Sequence, residues 1–367
     1  MNPSIQQLLE LYLQPAPVPP GMTSRDMVLK AIKFVHPPRI PYSFISPVES
    51  DFFEVAAIPQ FMHLVEPDGK AANIWVSAGK KGAKDPGDRY HDEWGVGWEV
   101  TGRHWDHAFD HPLRDLRNLD SYRFPDVADP EKYDMLKPFL EMGRKAGKYT
   151  VGFDPILMFE RMRALLGFEE LMVSPYTQPR GLELLLDRLA DLESAVIEQW
   201  ARIGGVDAYM TWDDWGLQTS LQMDPDTFRK FYKPRYKRIV EAAHQHGMHY
   251  IWHNCGHIID MIPDMIDIGV DVVQLDQPRL MGHRNLADKF GGGICFWNTV
   301  DIQWSTMENP TEEEIGAEVA EMIAAFDRFG GGFMARQYPD PTDIEMSPER
   351  HEMIYQAFLA HGCSLSE

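Results

Sequence analysis

Apolar runs alternate with amphipathic helical stretches along the last two-thirds of the chain. The runs over 148–153, 206–212, 248–252, 270–275 and 293–298 lack the strict alternation of a half-buried strand. Continuous apolar strands are typical of parallel sheets that helices cover on both faces. Segments with a 3.6-residue apolar period lie between them, and 179–203 is the longest. Because the β-α units approach eight in number, the pattern predicts an α/β fold, a (β/α)8 barrel; an open doubly wound sheet is the alternative.

Local signals place several helix ends. Thr23 or Ser24 is a suitable N-cap for the first barrel helix, and Asp224 is one for a helix over 225–246. Gly167 and Gly247 are typical of helix C-termini. Further helices are predicted over 258–268, 310–329 and 348–360.

The N-terminal part has a different character. We predict an extension over 1–22, with a short helix over 4–13, and a single barrel domain over 23–367. Residues from about 60 to 125 are aromatic-rich inserted loops, with a hairpin over 91–100. This insertion is either a polar surface loop or a lid over a pocket.

Charge and cysteine content narrow the function classes. The 35 Lys and Arg against 56 Asp and Glu give a net charge of −21, which disfavours nucleic acid and anionic membranes as partners. Three cysteines are too few for a disulfide framework. A signal-peptide pattern is not found at residues 1–20, and apolar stretches stay short of the ~18 residues of a membrane span. We therefore predict a cytoplasmic protein.

A histidine and a cysteine end one apolar run, in the stretch Tyr250-Ile251-Trp252-His253-Asn254-Cys255-Gly256-His257. Residues two apart on a strand face the same side. Imidazole and thiolate are ligands that suit zinc. The alternative for so short a motif is a core cysteine beside a hydrogen-bonded histidine.

Polar residues also follow the other predicted strands, where a parallel barrel places its catalytic groups. They are Ser43, Asp154, Asp213, Asp214, His253, Cys255, His257, Asp276, Gln277, Asn298, Asp301, Arg336 and Gln337. We predict catalytic roles for Asp213, His253, His257 and Gln277, whereas Asp301 is expected to cap a helix.

Most tryptophans lie in the inserted loops or near strand ends, at Trp94, Trp98, Trp105, Trp212, Trp215, Trp252, Trp297 and Trp304. Such a distribution predicts a pocket lined with aromatic rings, which suits a flat ligand. The expected substrate-binding residues are Trp94, Trp98, Trp212, Trp215, Trp252, Asn298 and Arg336.

The remaining cysteines are less informative. Cys295 is a candidate third metal ligand, although its position inside an apolar run favours the core. Cys363, in a short polar tail, is expected to be a bystander.

Several segments occur in an order that resembles the uroporphyrinogen decarboxylase superfamily, over roughly 23–360. They are Asp213-Asp214-Trp215-Gly216-Leu217-Gln218, the segment 225–234, His253-Asn254-Cys255-Gly256, Ile268-Gly269-Val270-Asp271 and Gln277-Pro278. The His-x-Cys pair makes the chain more similar to the corrinoid-dependent methyltransferase branch.

The resemblance implies a TIM-type barrel and, in that branch, a zinc ion that activates a thiol for attack on methylcobalamin. His253 and Cys255 match the zinc-binding pair. A later cysteine belongs near the last strand, but 330–337 contains none, so Cys295 or Asp213 would complete the shell, or the metal is absent. The decarboxylase's Arg-rich first-strand motif is also missing from 39–44.

The leading hypothesis is methyl transfer between a small methylated substrate and a corrinoid supplied by a partner protein. The aromatic lining favours O-demethylation of a methoxyaromatic compound over methylation of a coenzyme thiol. A decarboxylase or lyase is the runner-up, and a non-catalytic corrinoid- or tetrapyrrole-binding protein is the third possibility. A homodimer is compatible with the sequence.

Overall fold

A computed structural model describes residues 13–14, 16–44, 49–56, 63–65, 71–73, 85–101, 106–338 and 341–365. The helix expected over 4–13 lies almost wholly outside these ranges, as do Trp105 and much of the insertion. The division into an extension over 1–22 and a barrel over 23–367 stays a prediction.

The described strands form one large sheet and two small ones. They are β1 (Tyr42–Phe44), β2 (Glu49–Ser50), β3 (Phe52–Ala56), β4 (His63–Val65), β5 (Ala71–Asn73), β6 (Arg89–His91), β7 (Gly97–Glu99), β8 (His107–Asp110), β9 (Tyr149–Phe153), β10 (Ala208–Trp212), β11 (His249–Asn254), β12 (Val272–Leu275), β13 (Cys295–Asn298) and β14 (Phe333–Arg336). The large sheet has the order β2-β1-β14-β13-β12-β11-β10-β9-β3. Eight of its strands pair in parallel, and β2 pairs antiparallel with β1. This nearly closed parallel sheet confirms the predicted barrel.

Helices follow most of the barrel strands. They are α1 (Ser24–Ile32), α2 (Pro130–Asp134), α3 (Lys137–Lys145), α4 (Met158–Leu166), α5 (Phe168–Thr177), α6 (Pro179–Ile203), α7 (Lys233–Gln245), α8 (Ile262–Asp267), α9 (His283–Phe290), α10 (Ile302–Met307), α11 (Glu312–Asp327) and α12 (Pro348–Phe358). A helical turn, Pro225–Thr227, and a π-helical segment, Phe228–Tyr232, lead into α7; a second π-helical segment, Leu359–Cys363, follows α12. Short 3-10 helices occupy Leu116–Ser121, Pro278–Leu280 and Pro341–Ile344.

The capping predictions hold where the signal is local. Thr23 and Asp26 form a reciprocal capping box at α1, and Asp224 and Asp301 each accept two backbone N–H groups at helix starts. The helix predicted over 258–268 begins only at Ile262. The helix predicted over 310–329 is shorter at both ends, and no range was predicted for α10, the helix that Asp301 caps.

The inserted segment forms a small antiparallel sheet, β6-β7-β8. The predicted hairpin over 91–100 is its first half, and β8 adds a third strand. Asp92 fastens the sheet to α4, because its carboxylate lies 3.4 Å from the Arg161 guanidinium. The guanidinium also lies over the ring of Trp94, 4.4 Å from its centroid.

A separate apolar cluster fills the lower barrel interior. It contains alternate residues of the strands, among them Met210, Ile251, Val272, Cys295 and Trp297, with Val28 and Ala31 of α1. Since side chains alternate along a strand, the remaining residues face the surrounding helices. Helix α1 therefore plugs the barrel at the amino ends of the strands.

A buried ion pair closes the sheet where β1 meets the β2-β3 segment. The Arg39 guanidinium donates to both carboxylate oxygens of Asp51, at 2.7 and 2.8 Å, and both side chains are fully buried. Asp51 also accepts the backbone N–H of Tyr42 at 2.9 Å. Removing one partner of such a pair leaves an uncompensated buried charge, which is strongly destabilising.

Asp51→Asn should therefore lower the free energy of unfolding by about 3–5 kcal/mol, as measured by urea denaturation. Glu99→Gln, which breaks the exposed pair of Glu99 with Arg89, is the control and should cost less than about 1 kcal/mol. Equal stability of the two variants would contradict the role of the Arg39–Asp51 pair.

Candidate active site and metal centre

The loops that follow β10 and β11 touch backbone to backbone at two glycines. A Cβ atom added to Gly216 would lie 2.5 Å from the carbonyl oxygen of Cys255, and one added to Gly256 would lie 2.4 Å from the carbonyl carbon of Gly216. Gly256 also has a φ of +78°, which side chains disfavour. Only glycine fits at these two positions, and this contact brings the Asp213–Asp214 segment against the His253–Cys255 segment.

Neighbouring aspartates at the end of β10 face opposite ways. Asp214 accepts the backbone N–H of Cys255 at 2.8 Å and lies 3.4 Å from Nε2 of His253. Asp213 is fully buried and points toward the helices, where it accepts the N–H groups of Phe159 and Glu160 and the Tyr236 hydroxyl at 2.6–3.1 Å. Asp213 therefore holds the start of α4 and does not face the barrel mouth, as we had predicted for it. Asp214 lies at the mouth instead.

A chain of hydrogen bonds orients the imidazole of His253. The amide of Gln274 donates to the carboxylate of Asp276 at 2.7 Å. Because a carboxylate only accepts, the amide oxygen of Gln274 must face His253, and it accepts from Nδ1. In the neutral ring Nε2 then carries the lone pair, 3.6 Å from Sγ of Cys255. Orienting a histidine through its other nitrogen is typical of metal ligands.

The charges of this group are strongly coupled. Burial opposes protonation of His253, but Asp276, Asp214 and Gln274 outweigh it and raise its pKa to about 9. Although burial works against ionisation of Asp214, the imidazolium of His253 and the N–H of Cys255 hold the pKa of Asp214 below its ordinary value. Burial and the charge of Asp214 raise the pKa of the Cys255 thiol. A divalent cation would replace the imidazolium proton as the partner of these groups.

Asp214, His253 and Cys255 fit a zinc ion. Their ligand atoms all lie within 4.8 Å of one another. Zinc–ligand bonds of about 2.0–2.3 Å give a tetrahedron with edges of about 3.5 Å, which the spacings of 3.4 and 3.6 Å around Nε2 match. One oxygen, one nitrogen and one sulfur donor make three protein ligands, the number typical of catalytic zinc.

Cys295 is not part of this group. It starts β13, pairs with Val272 and is fully buried in the apolar cluster of the lower barrel. Within the described residues, the Asp214–His253–Cys255 group is the one set of three or more such ligands that could hold an ion. The third candidate ligand is thus Asp214 and not Cys295 as predicted, because the Cys295 thiol lies in the core of the lower barrel, away from the mouth.

The other predicted polar residues support the loops around this group. Gln277 accepts the N–H of Gly256 at 2.7 Å and donates to Gln303. His257 is half-buried and its backbone bridges to Leu217. Asn298 is fully buried on the outer side of β13, since its neighbour Trp297 faces the interior.

The expected aromatic pocket divides into two sets. Trp212 and Trp297 point into the barrel, and the Trp212 ring lies 6.0 Å from that of His253. Trp215 and Trp252 are fully buried on the outer side of the wall, where both pack against Tyr236. Those two rings therefore do not line the barrel interior.

The two tryptophans of the insertion serve its docking. Trp94 is buried beneath Arg161, and the indole N–H of Trp98 donates to Asp92 at 2.9 Å. Trp94 thus helps to fasten the small sheet to α4, and Trp98 holds the Asp92 carboxylate that pairs with Arg161.

Glu160, in the first turn of α4, was not among the predicted site residues. Its backbone N–H is held by Asp213, its carboxylate lies 3.2 Å from Arg163, and its side chain is 30% exposed. Burial, with a further contribution from Asp214, raises its pKa to about 7. The residue before α4, Leu157, has the left-handed φ of +56°, a strained conformation for leucine. The sequence Leu157-Met158-Phe159-Glu160 has no local pattern that would predict either the raised pKa of Glu160 or the left-handed conformation of Leu157.

A search against family models matches residues 110–335 to the uroporphyrinogen decarboxylase (URO-D) family. This range includes the Asp213–Asp214 segment, the His-x-Cys pair and Gln277. The chain belongs to the URO-D family. The resemblance stated from the sequence is thereby confirmed at the level of the family.

One curated relative and one solved structure show how far the likeness extends. A uroporphyrinogen decarboxylase of Magnetococcus marinus is 25% identical over 199 residues, which are 52% of this chain and 52% of that protein. The chain thus matches about half the length of this curated relative. The chain is also similar to the solved structure of a methyltransferase from Methanosarcina mazei. The match covers 92% of this chain and 98% of that chain, with a TM-score of 0.63 and 16% sequence identity. At that identity, the likeness shows the shared fold.

Across the parts of the chain that the structure describes, no helix is both long enough and apolar enough to cross a bilayer.

Purified protein should contain about one zinc ion per chain by elemental analysis, since three donors of the right kind converge. Asp214→Ala, His253→Ala and Cys255→Ser should each lose it. Cys295→Ala is the control and should keep the metal, because its thiol lies in the lower core. Loss of zinc in Cys295→Ala together with full zinc in Asp214→Ala would contradict the assigned ligand set.

Proposed function

We propose that this URO-D family protein is a methyltransferase that moves a methyl group from a small methoxyaromatic substrate to a reduced corrinoid carried by a partner protein. The observation that carries the proposal is the convergence of Asp214, His253 and Cys255 at the carboxyl end of the barrel strands. Trp212 beside His253 supplies an aromatic surface for a flat substrate. The methyltransferase from Methanosarcina mazei shows that this fold can support methyl transfer.

Asp214, His253 and Cys255 would hold a zinc ion, and the metal would supply Lewis acidity to the ether oxygen of the substrate. Gln274 and Asp276 keep Nε2 of His253 turned toward the other two ligands. Gln277 fixes the turn at Gly256 that presents Cys255. The chain's own contribution is therefore a rigid, pre-oriented donor set.

The proposed reaction breaks the bond between the ether oxygen and the methyl carbon. The methyl carbon forms a bond to cobalt, whose electron pair comes from the Co(I) corrinoid, so cobalt is oxidised to Co(III). The remaining phenolate takes up one proton. Glu160 is the proton donor in this proposal for two reasons. Its carboxyl group is near enough to Asp214 and Cys255 for their charges to interact, and its pKa of about 7 leaves it partly protonated at neutral pH.

Decarboxylation of a polycarboxylate is less compatible with the arginines near the sheet closure. Arg39 is buried and both its terminal nitrogens bind Asp51. Arg336 is buried and bound to Glu54. Both guanidinium groups are almost fully buried beside a carboxylate partner, so a substrate carboxylate would compete with that partner, and such an exchange is costly for buried charges.

The test mixes zinc-loaded protein with free cob(I)alamin and a panel of methoxyarenes, and follows methylcobalamin by its absorbance. Wild type should form methylcobalamin with at least one substrate, and His253→Ala should be slower by roughly 10²-fold or more, because the donor set is broken. Cys295→Ala should keep the rate. Formation of no methylcobalamin with any substrate, and no transfer from methylcobalamin to a thiol, would rule out methyl transfer. Release of CO2 from uroporphyrinogen would support the decarboxylase instead.

The proton donor gives a pH signature. A general acid must be protonated, so kcat should fall as pH rises through about 7, the value for Glu160. Burial is the largest cause of this pKa and does not depend on what Asp214 binds. Glu160→Gln should lower kcat by roughly 10²–10⁴-fold and remove the decline.

Exposed Glu169, on the next helix, supplies the matched control, and Glu169→Gln should keep both rate and profile. An unchanged pH profile in Glu160→Gln would show that another group delivers the proton.

A further inference from the structure

Glu54 and Arg336 form a two-pronged ion pair inside the barrel mouth. Nη1 and Nη2 of Arg336 lie 2.9 and 3.1 Å from the two carboxylate oxygens of Glu54. Glu54 is on β3 and Arg336 ends β14, and these strands are separated by β1 in the barrel. The pair therefore spans the place where the two ends of the large sheet approach each other.

The pair rests on an aromatic floor. The guanidinium of Arg336 lies over the ring of Trp297, 4.3 Å from its centroid, and that ring stacks on Phe52 at 4.2 Å. Trp297 is in register with Gln274, which is in register with His253. All three face inward, so the floor belongs to the same row of side chains as the metal-ligand histidine.

Accessibility differs sharply within the pair. The side chain of Arg336 is 3% exposed, whereas that of Glu54 is 23% exposed. The guanidinium of Arg336 donates along one edge to Glu54, and Trp297 covers one of its faces. Glu54 uses one lone pair on each oxygen for Arg336, and a carboxylate oxygen can accept a second hydrogen bond. The part of the pair that solvent reaches is thus an acceptor.

We propose that Glu54, held in place by Arg336, binds the polar end of the substrate and selects aromatic substrates that offer a neutral hydrogen-bond donor, such as a hydroxyl or an amide N–H, over those that carry a carboxylate. The inference rests on the proposed methyl transfer for the site, and it names the substrate class. A neutral donor binds Glu54 without disturbing the ion pair. A carboxylate would either face Glu54 or displace it, and the displaced Glu54 would lose its partner.

The probes are 3-methoxybenzamide and 3-methoxybenzoate, which have nearly the same shape but differ in charge and in donor capacity. Equilibrium binding to the zinc-loaded protein is measured by calorimetry at pH 7, with no corrinoid present. Wild type should bind the amide more than about tenfold tighter, because the benzoate must either face the like charge of Glu54 or take Arg336 from it. This comparison needs no variant and is independent of folding effects.

Glu54→Gln keeps the shape and an oxygen acceptor for Arg336 but removes the negative charge. Its preference for the amide should fall by about tenfold or more, because the guanidinium then lacks an anionic partner and favours the carboxylate. Glu318→Gln is the matched control. Glu318 is also a buried partner of an arginine, Arg279, but lies on α11 outside the barrel, so its loss should leave the preference unchanged.

Equal binding of the two probes to wild type, tighter binding of the benzoate, or binding of neither would overturn the inference. The same holds for a preference that is unchanged in Glu54→Gln, which would mean that the pair only closes the sheet. A preserved preference without methyl transfer in the corrinoid assay would reject the proposed function but leave the ligand preference assigned to Glu54 standing.

Discussion

The candidate site depends on the contact between two backbones at Gly216 and Gly256. Because neither residue has a side chain, the loops after β10 and β11 approach closely enough for the Cys255 N–H to reach Asp214 and for the Trp215 N–H to reach Asn254. A side chain at either glycine would collide with main-chain atoms, which cannot move aside as a flexible side chain does. The three candidate ligands come from two strands, so their spacing is set by this contact.

Much of the fold could be predicted because its signals are local. The caps at Thr23, Asp224 and Asp301 are hydrogen bonds between residues two or three positions apart, so the residue types in sequence predict them directly. The β-α alternation also follows from contiguous apolar runs. The boundaries of α8 and α11 were less accurate, because residues such as Ile258 are buried in the loop before the helix and continue the apolar pattern without being helical.

The sequence predicted where the site lies but not which side chains form it. The strand β10 is apolar on both faces, so its pattern does not reveal which of Asp213 and Asp214 points inward. The same ambiguity affects Trp252 and His253 on β11, where one faces the helices and the other the barrel interior. Glu54 and Arg336 are 282 residues apart, and only the closure of the sheet brings them together. Long-range pairs of this kind carry no local signal.

The opposite environments of Asp213 and Asp214 separate two carboxyl groups that are neighbours in the chain. Burial on the outer side of the wall raises the pKa of Asp213 to about 8, even though Tyr236 and the N–H groups of α4 favour its charged form. The pKa of Asp214 is lowered instead, chiefly because His253 compensates for its burial. The structural carboxyl group thus holds a proton more tightly than the candidate ligand does. Asp213 therefore repels Asp214 less than a carboxyl group with an ordinary pKa would, and the negative charge that can attract a cation at the mouth is that of Asp214.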